Sequence, residues 1–152
     1  MREHITEAMK AALKSGDKAR LGTLRLMLSA LKDREIGVGT GGMGAGGPLS
    51  EAEALQVLQR MVKQRRDSIE SYRQGKRQDL VDQEAAEIAV IEEFLPKQMG
   101  EAEVTAAVVA VVTELGAASP KDMGKVMAAL KAKYTGQMDF GKASAMVKEL
   151  LK

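Results

Sequence analysis

Apolar residues recur at helical spacing in every segment of this chain that lies between its glycine and proline breaks. In the first segment, Ile5, Met9, Ala12 and Leu13 fall at offsets of four, seven and eight, which places them on one face of a helix. A helix buries one face when its apolar side chains return about every 3.6 positions. Because the same pattern continues to the end of the chain, the sequence predicts an all-α protein.

Side chains that can cap a helix N-terminus precede five of the predicted helices. Each of them can accept a hydrogen bond from a backbone N–H that has no partner in the first turn. Ser50 is followed three residues later by Glu53, and this spacing is a capping box. The predicted caps are Asp17, Ser50, Asp79, Ser119 and Asp139.

Pro96 is the strongest break in the second half of the chain. Proline lacks a backbone N–H and cannot continue a helix, so residues 96–100 are predicted to be a short linker. We therefore expect two parts. The first is an N-terminal helical hairpin bundle over residues 1–95, and the second is a small three-helix domain over residues 101–152.

A second interruption lies within the first part. Residues 37–48 contain seven glycines in twelve positions, and glycine at this density cannot hold a helix, which predicts a flexible linker. A loop that cradles phosphate would need a preceding strand and a Gly-Lys-Ser/Thr ending. Neither is present in the sequence, so the linker interpretation is favoured.

The chain contains no cysteine and a single histidine, His4. A disulfide, a thiolate metal site, a serine triad and a multi-histidine metal site are therefore excluded on this chain alone, and we expect no metal and no cofactor. The longest uncharged apolar stretch, residues 104–113, is far shorter than the roughly 20 residues of a membrane span. No signal peptide is recognisable, and we expect a cytoplasmic protein without a membrane partner.

Two neighbouring helices of the first part each carry a charge within their apolar seam. An antiparallel hairpin about the turn at residues 75–78 would bring Arg65 and Arg66 alongside Glu84 and Glu87. A charge on an apolar seam normally needs a partner, so we predict a structural ion pair across the hairpin. A catalytic Arg–Glu pair is the alternative, but the sequence implies no third group or pocket for it.

The net charge of +2 conceals an uneven distribution, because residues 76–118 carry −6 and residues 119–152 carry +4. Lysines beside an exposed helix N-terminus suit phosphate oxygens, whereas a solvated lysine face is the alternative interpretation. Glycine inside a helix is unfavourable by roughly 1 kcal/mol relative to alanine, so Gly124 suggests that a partner or a neighbouring helix comes close. The candidate nucleic-acid-binding residues are Lys121, Gly124, Lys125, Lys131, Lys133 and Lys142.

Short motifs spread over nearly the whole chain resemble the YqeY family. The matching residues of the first part are Leu24-Arg25-Leu26, Leu31-Lys32, Glu35-Ile36, Arg66-Asp67-Ser68-Ile69, Gly75-Lys76-Arg77-Gln78-Asp79-Leu80, Glu84, Glu87-Ile88 and Phe94-Leu95-Pro96. Those of the second part are Asp122-Met123-Gly124-Lys125-Val126-Met127, Gly136, Asp139 and Val147-Lys148-Glu149-Leu150. The insert Gly37–Gly47 departs from the family pattern, and we assign it no family role.

The resemblance implies a helical hairpin domain followed by a small three-helix domain. The family is similar to the tail of the B subunit of the tRNA-dependent amidotransferase, where the tail helps to hold tRNA and a separate body carries the catalysis. It therefore implies tRNA as a partner, and we expect a non-catalytic tRNA-binding or tRNA-associated module. One alternative is an accessory component of a carbon–nitrogen ligase that uses glutamine as amide donor, with a protein partner from the amidotransferase or translation machinery. The other is a helical protein-interaction module.

Overall fold

Seven α-helices and one short 3-10 turn form the backbone of residues 1–37 and 48–152, which are the residues that the computed structural model describes. No β-strand occurs in these two ranges, and the predicted all-α class is confirmed. The glycine-rich linker predicted over residues 37–48 lies outside the described residues except for its two ends. The helices fall into two units, Met1–Leu95 and Pro96–Lys152.

Four helices build the first unit. Helix α1 ends at Gly16, whose left-handed backbone (φ 74°) suits a residue without a Cβ. Asp17 then caps α2 by accepting a hydrogen bond from the backbone N–H of Arg20 at 3.1 Å. The bounds of the four helices are Arg2–Ser15 for α1, Lys18–Ile36 for α2, Glu51–Gln74 for α3 and Gln78–Glu92 for α4.

The apolar core of the first unit draws on all four helices, but on only one end of α3 and α4. Helix α3 contributes residues as far as Val62, and α4 contributes residues from Ile88 onwards. The part of the α3–α4 hairpin between these limits, residues 63–87, extends beyond this shared core, and we call it the arm; Val81 is buried within it, at 5% exposure. Twelve residues of α3 belong to it, which corresponds to roughly 18 Å of helix.

Leu13 was predicted on the buried face of α1, and this prediction is wrong. The side chain is 65% exposed, whereas Ile5 and Ala12 are buried. Around the helix axis Leu13 lies about 80° from Ile5 and about 100° from Ala12, on the edge of the buried stripe. A helix that packs against the core with one face buries the centre of its apolar stripe, and a residue at the edge of the stripe, such as Leu13, stays in solvent.

Three helices and a 3-10 turn build the second unit. Their shared core includes fully buried Val108, Val126, Leu130 and Val147. The bounds are Glu101–Leu115 for α5, Pro120–Asp122 for the 3-10 turn, Met123–Tyr134 for α6 and Phe140–Leu150 for α7. Within residues 1–37 and 48–152, no single helix combines the length and apolar character needed to cross a membrane, and α5 with residues 120–134 reaches them only as a pair bent by 103°.

Part of the predicted linker at residues 96–100 is bonded to the second unit. The side-chain amide of Gln98 donates to the carbonyl oxygens of Pro96 at 2.8 Å and of Gly136 at 2.6 Å. The backbone N–H of Met99 donates to the carbonyl oxygen of Gln137 at 2.8 Å. These bonds fix the entry to α5 against the turn that joins α6 to α7.

Two of the predicted helix caps are wrong. The carboxylate of Asp79 lies in the first turn of α4 and pairs with Arg77 instead of capping the helix. The Ser119 hydroxyl forms no capping bond; the nearby Asp122 carboxylate accepts a hydrogen bond from the backbone N–H of Ala118 at 3.1 Å. For Asp79 the guanidinium of Arg77 is the competing partner, whereas nothing in the structure explains why Ser119 forms no cap.

Candidate nucleic-acid interface

Lys121 and Lys125 lie on adjoining turns where the 3-10 turn runs into α6. Both side chains are exposed, and neither forms an ion pair with any residue that the structure describes. Their spacing of four residues brings the two ammonium groups to neighbouring positions along the helical stretch. Two unpaired positive charges therefore lie close together at the start of α6.

Gly124 lies between these two lysines, in the first turn of α6. A Cβ placed on it would meet no atom within 4 Å, so the expected close approach of a neighbouring helix is wrong. The glycine is exposed instead, and its backbone faces open space. Among the described residues, therefore, no packing contact requires a glycine at this position.

The N-termini of α6 and α7 differ in how their amide groups are satisfied. Asp139 caps α7 by accepting hydrogen bonds from the backbone N–H groups of Gly141 at 2.8 Å and Lys142 at 3.4 Å. No described side chain caps α6, since Asp122 turns towards Ala118. The preceding 3-10 turn supplies an acceptor instead, since the backbone N–H of Met123 at the start of α6 donates to the carbonyl oxygen of Pro120. At both helix starts the groups available to an external acceptor are therefore ammonium groups, those of Lys121 and Lys125 at α6 and that of Lys142 at α7.

Lys131 and Lys133 lie in the last turn of α6, away from the pair at its start. The ammonium group of Lys133 forms an ion pair with Glu114 at 2.9 Å, and this hydrogen bond raises the pKa of Lys133 above its ordinary value. Lys131 is exposed and forms no ion pair within the described ranges. The candidate lysines therefore do not form a single cluster: one of them is already neutralised, Lys142 lies on α7, and Lys131 lies on a different side of α6 from Lys125.

Arg65 and Arg66 of α3 each form an ion pair with a carboxylate of α4. Arg65 Nε lies 2.9 Å from Glu87 Oε2, and Arg65 Nη1 also donates to the carbonyl oxygen of Met61 at 3.2 Å. Arg66 Nη2 lies 2.9 Å from Glu92 Oε1 in a more exposed position. The guanidinium groups of Arg65 and Arg66 are thus bonded to groups of the protein itself, as in a structural ion pair.

Glu84 was expected to share in this pairing, and the structure does not place it there. The two arginines bond to carboxylates one and two turns further along α4, because an antiparallel hairpin sets Arg65 level with Glu87. Burial raises the pKa of the Glu84 carboxyl above its ordinary value, and the nearby charge of Glu87 adds to the effect. Glu84 is thus a half-buried acid without a bonded cation in the described structure.

Within residues 1–37 and 48–152, no three His, Asp or Glu side chains lie together as a metal site would require.

Comparison with known proteins gives a family and several relatives. Residues 2–151 match the family model described as Yqey-like protein. The protein called altered inheritance of mitochondria protein 41, mitochondrial, from Lachancea thermotolerans is 32% identical over 119 residues, which are 77% of this chain and 60% of the relative. Its namesake from Kluyveromyces lactis is 34% identical over 119 residues, covering 76% of this chain and 60% of the relative.

This chain therefore spans about 60% of the length of those two curated relatives. The names of both relatives call them mitochondrial. This contradicts the cytoplasmic location expected from the sequence, and that prediction is wrong. The absence of cysteine could not have distinguished the two, because it reports only on redox chemistry. With a family model that matches nearly every residue, the chain belongs to the YqeY-like family.

Proposed function

We propose that this protein is a non-catalytic tRNA-binding module whose second unit contacts the phosphate backbone. The observation that carries the proposal is the start of α6, where two exposed lysines, Lys121 and Lys125, flank an open backbone at Gly124. Both charges are without a carboxylate partner among the described residues. Exposed lysine side chains without a carboxylate partner are suited to phosphate oxygens.

The remaining lysines of this surface add attraction of lower specificity. Lys131 and Lys142 are exposed and form no ion pair in the described part of the chain. Lys133 shares its charge with Glu114 and contributes least. Unpaired cations spread over α6 and α7 favour contact with an extended polyanion over binding of a small anion, because they are not gathered at one point.

The aromatic residues favour recognition of the backbone over recognition of bases. The chain has two tyrosines and two phenylalanines, and none of the four side chains is fully exposed. Tyr134 and Phe140 pack against the core of the second unit, and Phe94 packs against that of the first. Stacking of single-stranded bases needs accessible rings, so a folded RNA with an ordered backbone is the better partner. The resemblance to the amidotransferase tail supports tRNA as that RNA.

Retention of labelled, folded tRNA on a filter at low salt tests this proposal. The wild-type protein should retain tRNA, and the variant Lys121→Ala/Lys125→Ala should retain much less. The matched control is Lys10→Ala/Lys14→Ala, which removes two exposed lysines from α1 and should behave as wild type. Equal retention by all three proteins, or none by the wild type, would exclude the proposed site.

A protein-interaction module is the second candidate, and one observation favours it. The outward side of α5 is exposed and uncharged at Thr105, Ala106, Val109 and Ala110, with Val109 45% exposed. An apolar face of this kind suits another helix, and such binding would depend little on salt. Binding to tRNA would weaken steeply with salt, so the two candidates are separated by one titration.

A further inference from the structure

The turn at the end of the arm holds a lysine in a backbone conformation that ordinarily belongs to glycine. Lys76 has φ 55°, and it is the one residue other than glycine with positive φ among the residues described. Its backbone N–H donates to the carbonyl oxygen of Arg73 at 3.1 Å, and that of Arg77 donates to Tyr72 at 2.9 Å. These two bonds form a Schellman motif that ends α3, with Lys76 at the left-handed position.

The glycine beside it does not occupy that position. Gly75 has φ −81°, a value that any residue adopts, and a Cβ there would meet only ordinary van der Waals contacts, the nearest being Ser71 O at 3.6 Å. A residue with a Cβ in the left-handed region costs about 1 kcal/mol. The stability of the turn therefore does not account for a lysine at residue 76, since glycine would be more stable there.

The same turn gathers positive charge at the end of the arm. Arg73 and Lys76 are exposed, and neither forms an ion pair in the described structure. Arg77 is bonded twice to Asp79, with Nε to Oδ1 at 3.1 Å and Nη2 to Oδ2 at 3.0 Å. Residues 73–79 consequently carry a net charge of +2.

The position of these charges makes them accessible to a large partner. The core of the first unit ends at Val62 on α3, so the turn stands about three helical turns beyond it. The six large apolar side chains that are most exposed in the described structure all lie outside residues 63–87. A surface that inserts into a lipid interface needs such apolar anchors, whereas contact with the RNA backbone needs only accessible cations.

We propose that the end of the arm, Arg73 and Lys76 with Arg77, is a second contact to the phosphate backbone of the same RNA. The inference rests on the proposed function, and it assigns to the first unit a role that the lysines of α6 do not fill. Two weak contacts to one polyanion reinforce each other, because binding of the first raises the effective concentration at the second. Lys76 at the left-handed position lowers the stability of the turn relative to glycine, but it places a positive charge where the RNA binds.

The substitution Lys76→Gly separates a functional role of this residue from a structural one. Glycine relieves the strain of the left-handed backbone, so the melting temperature should stay the same or rise. The slope of log affinity for folded tRNA against log salt should become shallower by about one unit for Lys76→Gly and by about two for Arg73→Gln/Lys76→Gly. Arg60→Gln is the matched control on α3, because it removes an exposed cation from the half of the helix that lies within the core.

The outcomes distinguish this inference from the proposed function. Slopes for Lys76→Gly and Arg73→Gln/Lys76→Gly equal to wild type would overturn the inference, while a loss in Lys121→Ala/Lys125→Ala would leave the proposed function standing. A loss confined to the arm variants would support the inference and remove the site on α6. If the arm variants lose binding to vesicles of phosphatidylglycerol but keep wild-type tRNA binding, the partner is a membrane and the inference is wrong. Absence of tRNA binding by the wild type would overturn both.

Discussion

Arg65 and Glu87 form an ion pair across the arm, with 2.9 Å between Arg65 Nε and Glu87 Oε2 and side-chain exposures of 13% and 19%. Arg66, the next residue of α3, forms a pair of the same length with Glu92, but the exposures of these two side chains are 63% and 38%. The two pairs join the same two helices and differ mainly in burial. They therefore offer a direct comparison of what burial contributes to an ion pair in this fold.

Removal of the charge at Glu87 should destabilise the first unit more than removal of the charge at Glu92. Glu87→Gln leaves the guanidinium of Arg65 half-buried without its counter-charge, and we expect a loss of about 1–2 kcal/mol. Glu92→Gln should change stability by less than about 0.5 kcal/mol, since water already screens that pair. Urea denaturation of the two variants measures the difference, and equal losses would show that burial is irrelevant here.

Glu84→Gln should act in the opposite direction. Burial and the charge of Glu87 raise the pKa of Glu84 in the folded state above its ordinary value of 4.5, so its ionised form opposes folding. At pH 7 the substitution should raise the melting temperature, and the gain should shrink as the pH falls through the raised pKa towards 4.5. Thermal melts of Glu84→Gln and wild type between pH 4 and pH 7 test this sign. A stability loss at pH 7 would contradict it.

The ion pairs between α3 and α4 show which features of the hairpin a sequence pattern predicts and which it does not. The periodic seam predicts a hairpin that brings Arg65 and Arg66 towards acids of α4, and in the structure the two arginines pair with Glu87 and Glu92. It does not give the register, because sliding one helix by a turn exchanges Glu84 for Glu87 without changing the apolar pattern. The packed structure fixes the register through side-chain contacts, which are not present in the sequence of either helix alone.

Some of the helix caps could be predicted from the sequence and others could not. Asp17, Ser50 and Asp139 cap their helices as the sequence predicts, because a local side chain and a free N–H group are all that a cap needs. Asp79 does not, since Arg77 is a stronger partner for its carboxylate. The lysine at the left-handed position of the arm turn could not be found from the sequence, where Gly75 is the obvious residue for that role.

Gly22 and Gly124 are both exposed helical glycines, and a Cβ at either would meet no atom within 4 Å. Gly22→Ala, in the interior of α2, should stabilise the first unit by about 1 kcal/mol, and Gly124→Ala, in the first turn of α6, should stabilise the second unit by less. Only Gly124→Ala should weaken binding to tRNA, because the added methyl group lies where phosphate would approach the backbone. Thermal melts combined with filter binding separate the two effects, and unchanged tRNA binding by Gly124→Ala would show that the backbone is not approached.

The salt dependence of tRNA binding tests the central claim most directly. Each lysine that contacts a phosphate contributes close to one unit to the slope of log affinity against log salt. The dissociation constant of folded tRNA, measured over a series of salt concentrations, should give a slope about two units shallower for Lys121→Ala/Lys125→Ala than for wild type and Lys10→Ala/Lys14→Ala. Identical slopes for the three proteins, or a wild-type affinity that does not change with salt, would contradict the account.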